Sequence, residues 1–166
     1  MPSERFVDAL NAQVAREFAA SHQYTAIGAW YAGETYPQLS AFFYAQAEEE
    51  REHALKMVNY LLDTNSPVNL TGVEAPRASF EDHVAPIRLA LEQEQSVTVS
   101  ISELFEVARE TRDYRSEQFL DWFLQEQTEE ESSMSDLLAV AERTASVPML
   151  LEEYLARETP GASPGE

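Results

Sequence analysis

The chain has 166 residues, 44% of them hydrophobic and 25% charged, which suits one packed domain and excludes a disordered or membrane-embedded polymer by composition. Thirty acidic side chains stand against eleven basic ones for a formal charge of −19, and Lys56 is the single lysine, so cations are favoured over nucleic acid as partners. With no cysteine, disulfides, thiolate zinc sites and iron–sulfur clusters are excluded, and a bound metal must rest on nitrogen and oxygen donors.

Only five glycines occur, two of them in the last six residues, while Glu, Ala, Leu and Gln fill long stretches free of proline, so the chain reads as mostly helix. Breaks at Tyr36-Pro37, across Asp63 to Ser79, at Thr111 to Asp113 and at Ser146-Val147-Pro148 cut out four long helices and a short fifth. The first, predicted over 3–34, carries Leu10, Val14, Glu17, Ser21, Tyr24, Gly28 and Tyr31 along one face. The second, over 38–63, aligns Phe43, Ala47, Glu50, Ala54, Met57 and Leu61, with His53 one turn from Glu50. The third, over 80–110, aligns Ile87, Leu91, Glu94, Thr98, Ile101, Phe105 and Ala108, with Pro86 in its first turns. The fourth, over 114–145, aligns Leu120, Phe123, Gln127, Glu130, Met134, Leu137 and Ala141. The fifth, over 147–158, bears too many apolar groups for a helix packed on one side: it either meets copies of itself or folds back on its own bundle. Two short connections and one long middle one predict an all-α four-helix bundle with one long crossover. One domain over 1–158 is expected, followed by a flexible tail over 159–166. No apolar run approaches the ~18 residues of a membrane span, and the opening Met1-Pro2-Ser3-Glu4-Arg5-Phe6 lacks the layout of a secretory signal, so a cytoplasmic location is expected.

Every long helix thus interrupts its core stripe with a polar residue. Any one glutamate alone is explained as a solvated residue one position off the stripe. Four coincident cases are not, because an unpaired buried carboxylate costs several kcal/mol and several together repel one another. A divalent metal with carboxylate and imidazole ligands resolves the conflict. The two hairpins also match: adding 77 to positions 17, 50 and 53 turns Glu17, Glu50 and His53 into Glu94, Gln127 and Glu130. At ~1.5 Å rise per residue the four sets fall at similar heights in the bundle. This is the carboxylate-bridged di-iron pattern, except that Gln127 and Glu130 stand where a Glu and a His would complete it.

At this point the sequence resembles the bacterial non-haem ferritins. The resemblance is carried by Arg16-Glu17-Phe18 through Tyr24, by Gln46-Ala47-Glu48-Glu49-Glu50-Arg51-Glu52-His53-Ala54, and by Phe119 through Glu131, and it covers roughly residues 5 to 158. It implies an iron-storage protein with ferroxidase activity, oxidising Fe2+ with O2 or H2O2 and storing the product as a ferric mineral. It further implies a first iron on Glu17, Glu50 and His53, with Glu50 bridging to a second on Glu94 and Glu130, and Gln127 close by. A third, looser iron position would carry over to Glu49, Glu126 and Glu129 with Glu130 shared, and Tyr24 matches a tyrosine that supplies an electron during oxygen reduction. The family assembles hollow shells of 24 chains with the fifth helix lining a fourfold axis. Bacterioferritins typically have His where Glu130 stands and a haem-ligating Met where Arg51 stands, so no haem is expected. Asp113, Glu117 and Asp121 recur every four residues at the start of the fourth helix, either as simple caps suited to the helix dipole or as the lining of a threefold pore for Fe2+. A di-iron oxidase acting on an organic substrate is the rival on the same fold, and a non-catalytic helical interaction protein is the rival that leaves the buried acids without purpose.

Overall fold

The computed structural model describes residues 2–158, so the expected tail at 159–166 lies outside the described residues. Five helices follow in order: α1 Glu4–Gly33, α2 Pro37–Asp63, α3 Ala85–Glu110, α4 Tyr114–Arg143 and α5 Met149–Glu158. The hairpins α1–α2 and α3–α4 pack against each other through α1 and α3, and α5 lies on α2. This is the expected bundle.

Helix ends have local causes. Ser3 Oγ accepts from the Phe6 amide at 3.2 Å, and Asp113 accepts from the Ser116 amide at 3.2 Å, so α1 and α4 each start on a side-chain cap. The third helix begins at Ala85 rather than at 80. Asp82 Oδ1 takes the amides of Val84 and Ala85, both at 2.9 Å, which fixes a turn there, and Pro86 then enters the first helical turn. With α2 ending at Asp63, the crossover spans 64–84, four residues more than the spacing of breaks suggested.

That crossover runs along α1. Asn11 donates to Pro67 O at 3.0 Å and accepts from the Asn69 amide at 2.7 Å; twelve residues on, Gln23 donates to Arg77 O at 2.8 Å and accepts from the Arg77 amide at 2.9 Å; and the Tyr31 hydroxyl donates to His83 O at 2.6 Å. The anchor points span about 30 Å of helix. Each amide side chain supplies the donor and acceptor that an irregular backbone lacks.

The fifth helix does fold back, on one face. Leu151 and Leu155 are buried against the bundle, and the Glu152 carboxylate accepts from the Gln38 and Leu39 amides at 2.8 and 2.9 Å, satisfying the N-terminus of α2. Its other face is open: Val147, Met149 and Leu150 are 48%, 69% and 45% exposed.

The apolar core comes in two parts. One cluster gathers Phe6, Leu10, Val14, Ala54, Met57, Leu61, Val97, Leu120 and Phe123; the other gathers Tyr24, Ile27, Phe43, Ala47, Ile87, Ala90, Met134 and Leu137. On every long helix the polar interruption falls between the two, so the bundle is apolar, polar and apolar along its axis.

Candidate metal centre

Glu17, Glu50, His53, Glu94, Gln127 and Glu130 are all buried, none more than 7% exposed, and they meet in the belt between the two apolar clusters. Three groups of ligand atoms lie within 4.8 Å of one another: Glu17 with Glu50 and His53, Glu50 with Glu94 and Glu130, and His53 with Glu126 and Glu130. His53 Nδ1 stands 3.9 Å from Glu17 Oε2 and 3.8 Å from Glu50 Oε2, while its Nε2 faces Glu130 Oε1 at 3.9 Å. These separations are too long for direct bonds and leave room for an ion between the groups.

The hydrogen bonding divides the site. Glu17 Oε1 accepts from Gln13 Nε2 at 2.7 Å, and Gln13 in turn accepts from Arg16 at 3.1 Å. Glu94 is held on both oxygens, by the Tyr24 hydroxyl and by Gln127 Nε2 at 3.1 Å. By contrast Glu17 Oε2, both oxygens of Glu50, His53 Nδ1 and both oxygens of Glu130 are buried with no hydrogen-bond partner. Six orphaned ligand atoms in one belt are a cost that no ordinary core accepts, and a cation is the partner they fit.

Burial, then repulsion from Glu94, raises the Glu50 carboxyl to about 8, and burial with the charges of Glu50 and Glu94 raises Glu130 to about 11. Glu17 also lies well above the usual carboxylate range because of burial and its neighbour Glu50. Burial and the adjacent Glu94 push the Tyr24 phenol well up. Without metal the site therefore holds protons, and a divalent ion would displace them.

The remaining sequence candidates separate. Glu126 joins His53 and Glu130, and Glu49 lines the same outer cleft of about 390 Å3 between α2 and α4, together with Glu52, Lys56, Asn59 and Trp122. Glu129 is exposed and belongs to none of the three groups. Asp113 caps α4 and Glu117 faces Arg109 at 3.7 Å, while Asp121 is exposed on the same helix. Sequence reasoning passed over Gln13, whose only signal is its place one turn before Glu17, and it gave no role to Trp122, whose ring meets His53 edge-on at 5.4 Å.

Comparison with known proteins bears on this geometry. The profile of the family described as Ferritin-like domain matches residues 7–144. The chain is 41% identical over 157 residues to ferritin BfrB of Mycobacterium tuberculosis, covering 95% of this chain and 87% of that protein. It is 40% identical over 132 residues to a bacterial non-heme ferritin of Staphylococcus aureus, covering 80% of each. Among solved structures, an open pore ferritin from the hyperthermophilic archaeon Archaeoglobus fulgidus superposes with a TM-score of 0.90 at 28% identity, covering 95% of this chain and 99% of that one.

Proposed function

The chain belongs to the ferritin family, and from that premise we propose that it takes up Fe2+ as substrate, oxidises it with O2 or H2O2 in the carboxylate belt, and stores the product as a ferric oxyhydroxide mineral inside a homo-oligomeric shell of 24 copies. The observation that carries the reading is the set of six buried, partnerless ligand atoms on Glu17, Glu50, His53 and Glu130. Glu17, Glu50 and His53 take one ion; Glu50, Glu94 and Glu130 take the other. Each ferrous ion yields one electron, so the pair supplies together the two electrons that O2 needs, with two protons, to become H2O2.

The two positions differ in donor chemistry. The first has an imidazole nitrogen, whereas the second has carboxylates alone, with Gln127 turned to donate to Glu94. Oxygen-only ligation holds the borderline Fe2+ less firmly than a site with an imidazole, so the second position fills after the first. Tyr24, hydrogen-bonded to Glu94, is the electron donor nearest to that position. The outer cleft carries Glu49, Glu52 and Glu126 beside Leu55, Lys56 and Trp122, and its three acids suit an approaching cation. Among the described residues no helix is long and apolar enough to cross a membrane.

Anaerobic addition of Fe2+ to metal-free protein, followed by air, tests the reading. Two ferrous ions per chain should bind before oxidation, and further additions should keep being oxidised, with the ferric absorbance migrating to particles of shell size. A centre that fills once and retains both ions would overturn the storage function. Glu50→Ala should lose both positions and slow oxidation by about 100-fold or more.

A further inference from the structure

Lys56 is the single lysine of a chain with thirty acids, and it stands in the mouth of the cleft that leads to His53. Its surroundings offer Glu49, Glu52 and Glu126, with Glu52 one helical turn before it. Yet the ion pairs that Lys and Arg make among the described residues engage Arg5, Arg77, Arg88 and Arg109, and Lys56 makes none. Its Nζ instead rests 3.5 Å from the centroid of the Trp122 ring. An indole face is the strongest aromatic perch for an ammonium, and this one is braced, since the same ring packs edge-on against His53 at 5.4 Å.

The cleft is lined by His53 and Glu126, two members of the third group of ligand atoms, and both oxygens of the third member, Glu130, are buried without partners. His53 and Glu130 also serve the two inner groups, so an ion seated in this outer position borrows ligands from both inner ones. An ion that stayed there would hold the imidazole and carboxylate away from the centre.

We propose that Lys56 is the resident cation of the outer cleft: fixed on Trp122 beside Glu49, Glu52 and Glu126, its charge holds down occupancy of the His53–Glu126–Glu130 position, so that ions pass through it. The inference rests on the metal-centre reading above. A unit charge facing a divalent ion across a solvated mouth of this size changes affinity by about tenfold. The acids still draw ions in from a distance, because their sum outweighs one lysine, while the ammonium shortens the stay.

Calorimetric titration of the assembled, metal-free protein with Zn2+ tests this, comparing wild type with Lys56→Met and Lys56→Arg. Lys56 is exposed, so neither change threatens the fold. Lys56→Met keeps the stem and removes the charge: a third binding event per chain should tighten by about tenfold at low salt while the first two stay put, and the difference should shrink in high salt. Lys56→Arg should behave like wild type, and adding Glu126→Gln to Lys56→Met should abolish the tightened event. On repeated Fe2+ additions Lys56→Met should recover its initial oxidation rate more slowly. Equal third-event affinity in wild type and Lys56→Met, or an equal shift in Lys56→Arg, would overturn the role of Lys56 while leaving the two inner positions standing. Loss of the first two events in wild type would overturn the metal centre itself.

Discussion

Both carboxylate oxygens of Glu50 are buried without a donor, and its carboxyl is raised to about 8 by burial and by Glu94. In the unfolded chain the same group ionises near its ordinary value of 4.5. Between those two values unfolding releases a proton, so the metal-free protein loses stability as pH rises through that window, and Glu130, raised to about 11, adds to the trend in the same direction. A bound divalent ion takes the protons' place and removes the slope. The midpoint of thermal unfolding, followed by circular dichroism, should therefore fall from pH 5 to pH 8 without metal and hold level or rise with saturating Zn2+; a metal-free midpoint that climbs over this range would show that these carboxylates are not proton-loaded. The members of the belt were legible in the sequence because a carboxylate on a core stripe violates the rule that stripe otherwise obeys. Gln13 was not, since glutamine is at home on any helix face and only the 2.7 Å contact to Glu17 gives it a role. Nor was the perch of Lys56, because the ring beneath it is supplied by a helix 66 positions along the chain.

At the scale of elements, α1, α2 and α3 each stop in the same way. Thr35, Asn65 and Arg112 follow the helix ends with φ of 65°, 54° and 55°, and the next amide in each case reaches back six residues in span: Tyr36 to Tyr31 O at 2.9 Å, Ser66 to Leu61 O at 2.8 Å, and Asp113 to Ala108 O at 2.8 Å. This is the left-handed stop that glycine ordinarily provides. Because the sequence has no glycine at these three stops, only proline and composition mark the turns there, and helix ends are less legible than helix faces. A β-branched residue is the least suited to that conformation, at a cost of about 1–2 kcal/mol. Thr35→Gly should relieve it, offset in part by the greater freedom of glycine in the unfolded chain, for a net gain of about 0.5–1 kcal/mol. Asn65→Gly should gain less, because asparagine tolerates the left-handed region. Denaturant midpoints at unchanged slope measure both, and a destabilised Thr35→Gly would mean that the hydroxyl or its methyl makes contacts worth more than the strain. The long crossover shows the opposite balance: its existence and purpose followed from its length, but the Asn11 and Gln23 clamps that hold it emerge only when two distant backbones are side by side.

For the whole molecule, the proposed shell turns attention to the outer face of α5. The inner face is committed, through Leu151, Leu155 and the carboxylate of Glu152 on the start of α2, so α5 is held in place by its own chain. Val147, Met149 and Leu150 then project a small apolar patch outward from a subunit whose formal charge is −19. Association of such acidic subunits requires contacts that outweigh their repulsion, and in the proposed shell packing this patch against its copies is one apolar contribution to them. In that shell, Leu150→Glu would place an acid in the middle of the patch and repeat it in every subunit. It leaves Leu151, Leu155 and Glu152 untouched, so helicity and the uptake of two Zn2+ per chain should persist. Particle mass by light scattering should fall from a shell on the order of hundreds of kDa to small oligomers, whereas Leu150→Met should assemble normally. The dispersed variant should still oxidise Fe2+, since every ligand atom of the inner positions comes from one chain, but its ferric product should precipitate in bulk solution for want of an enclosed volume. Intact shells from Leu150→Glu would remove α5 from the assembly interface, and loss of oxidation on dispersal would show that the centre depends on a neighbouring subunit.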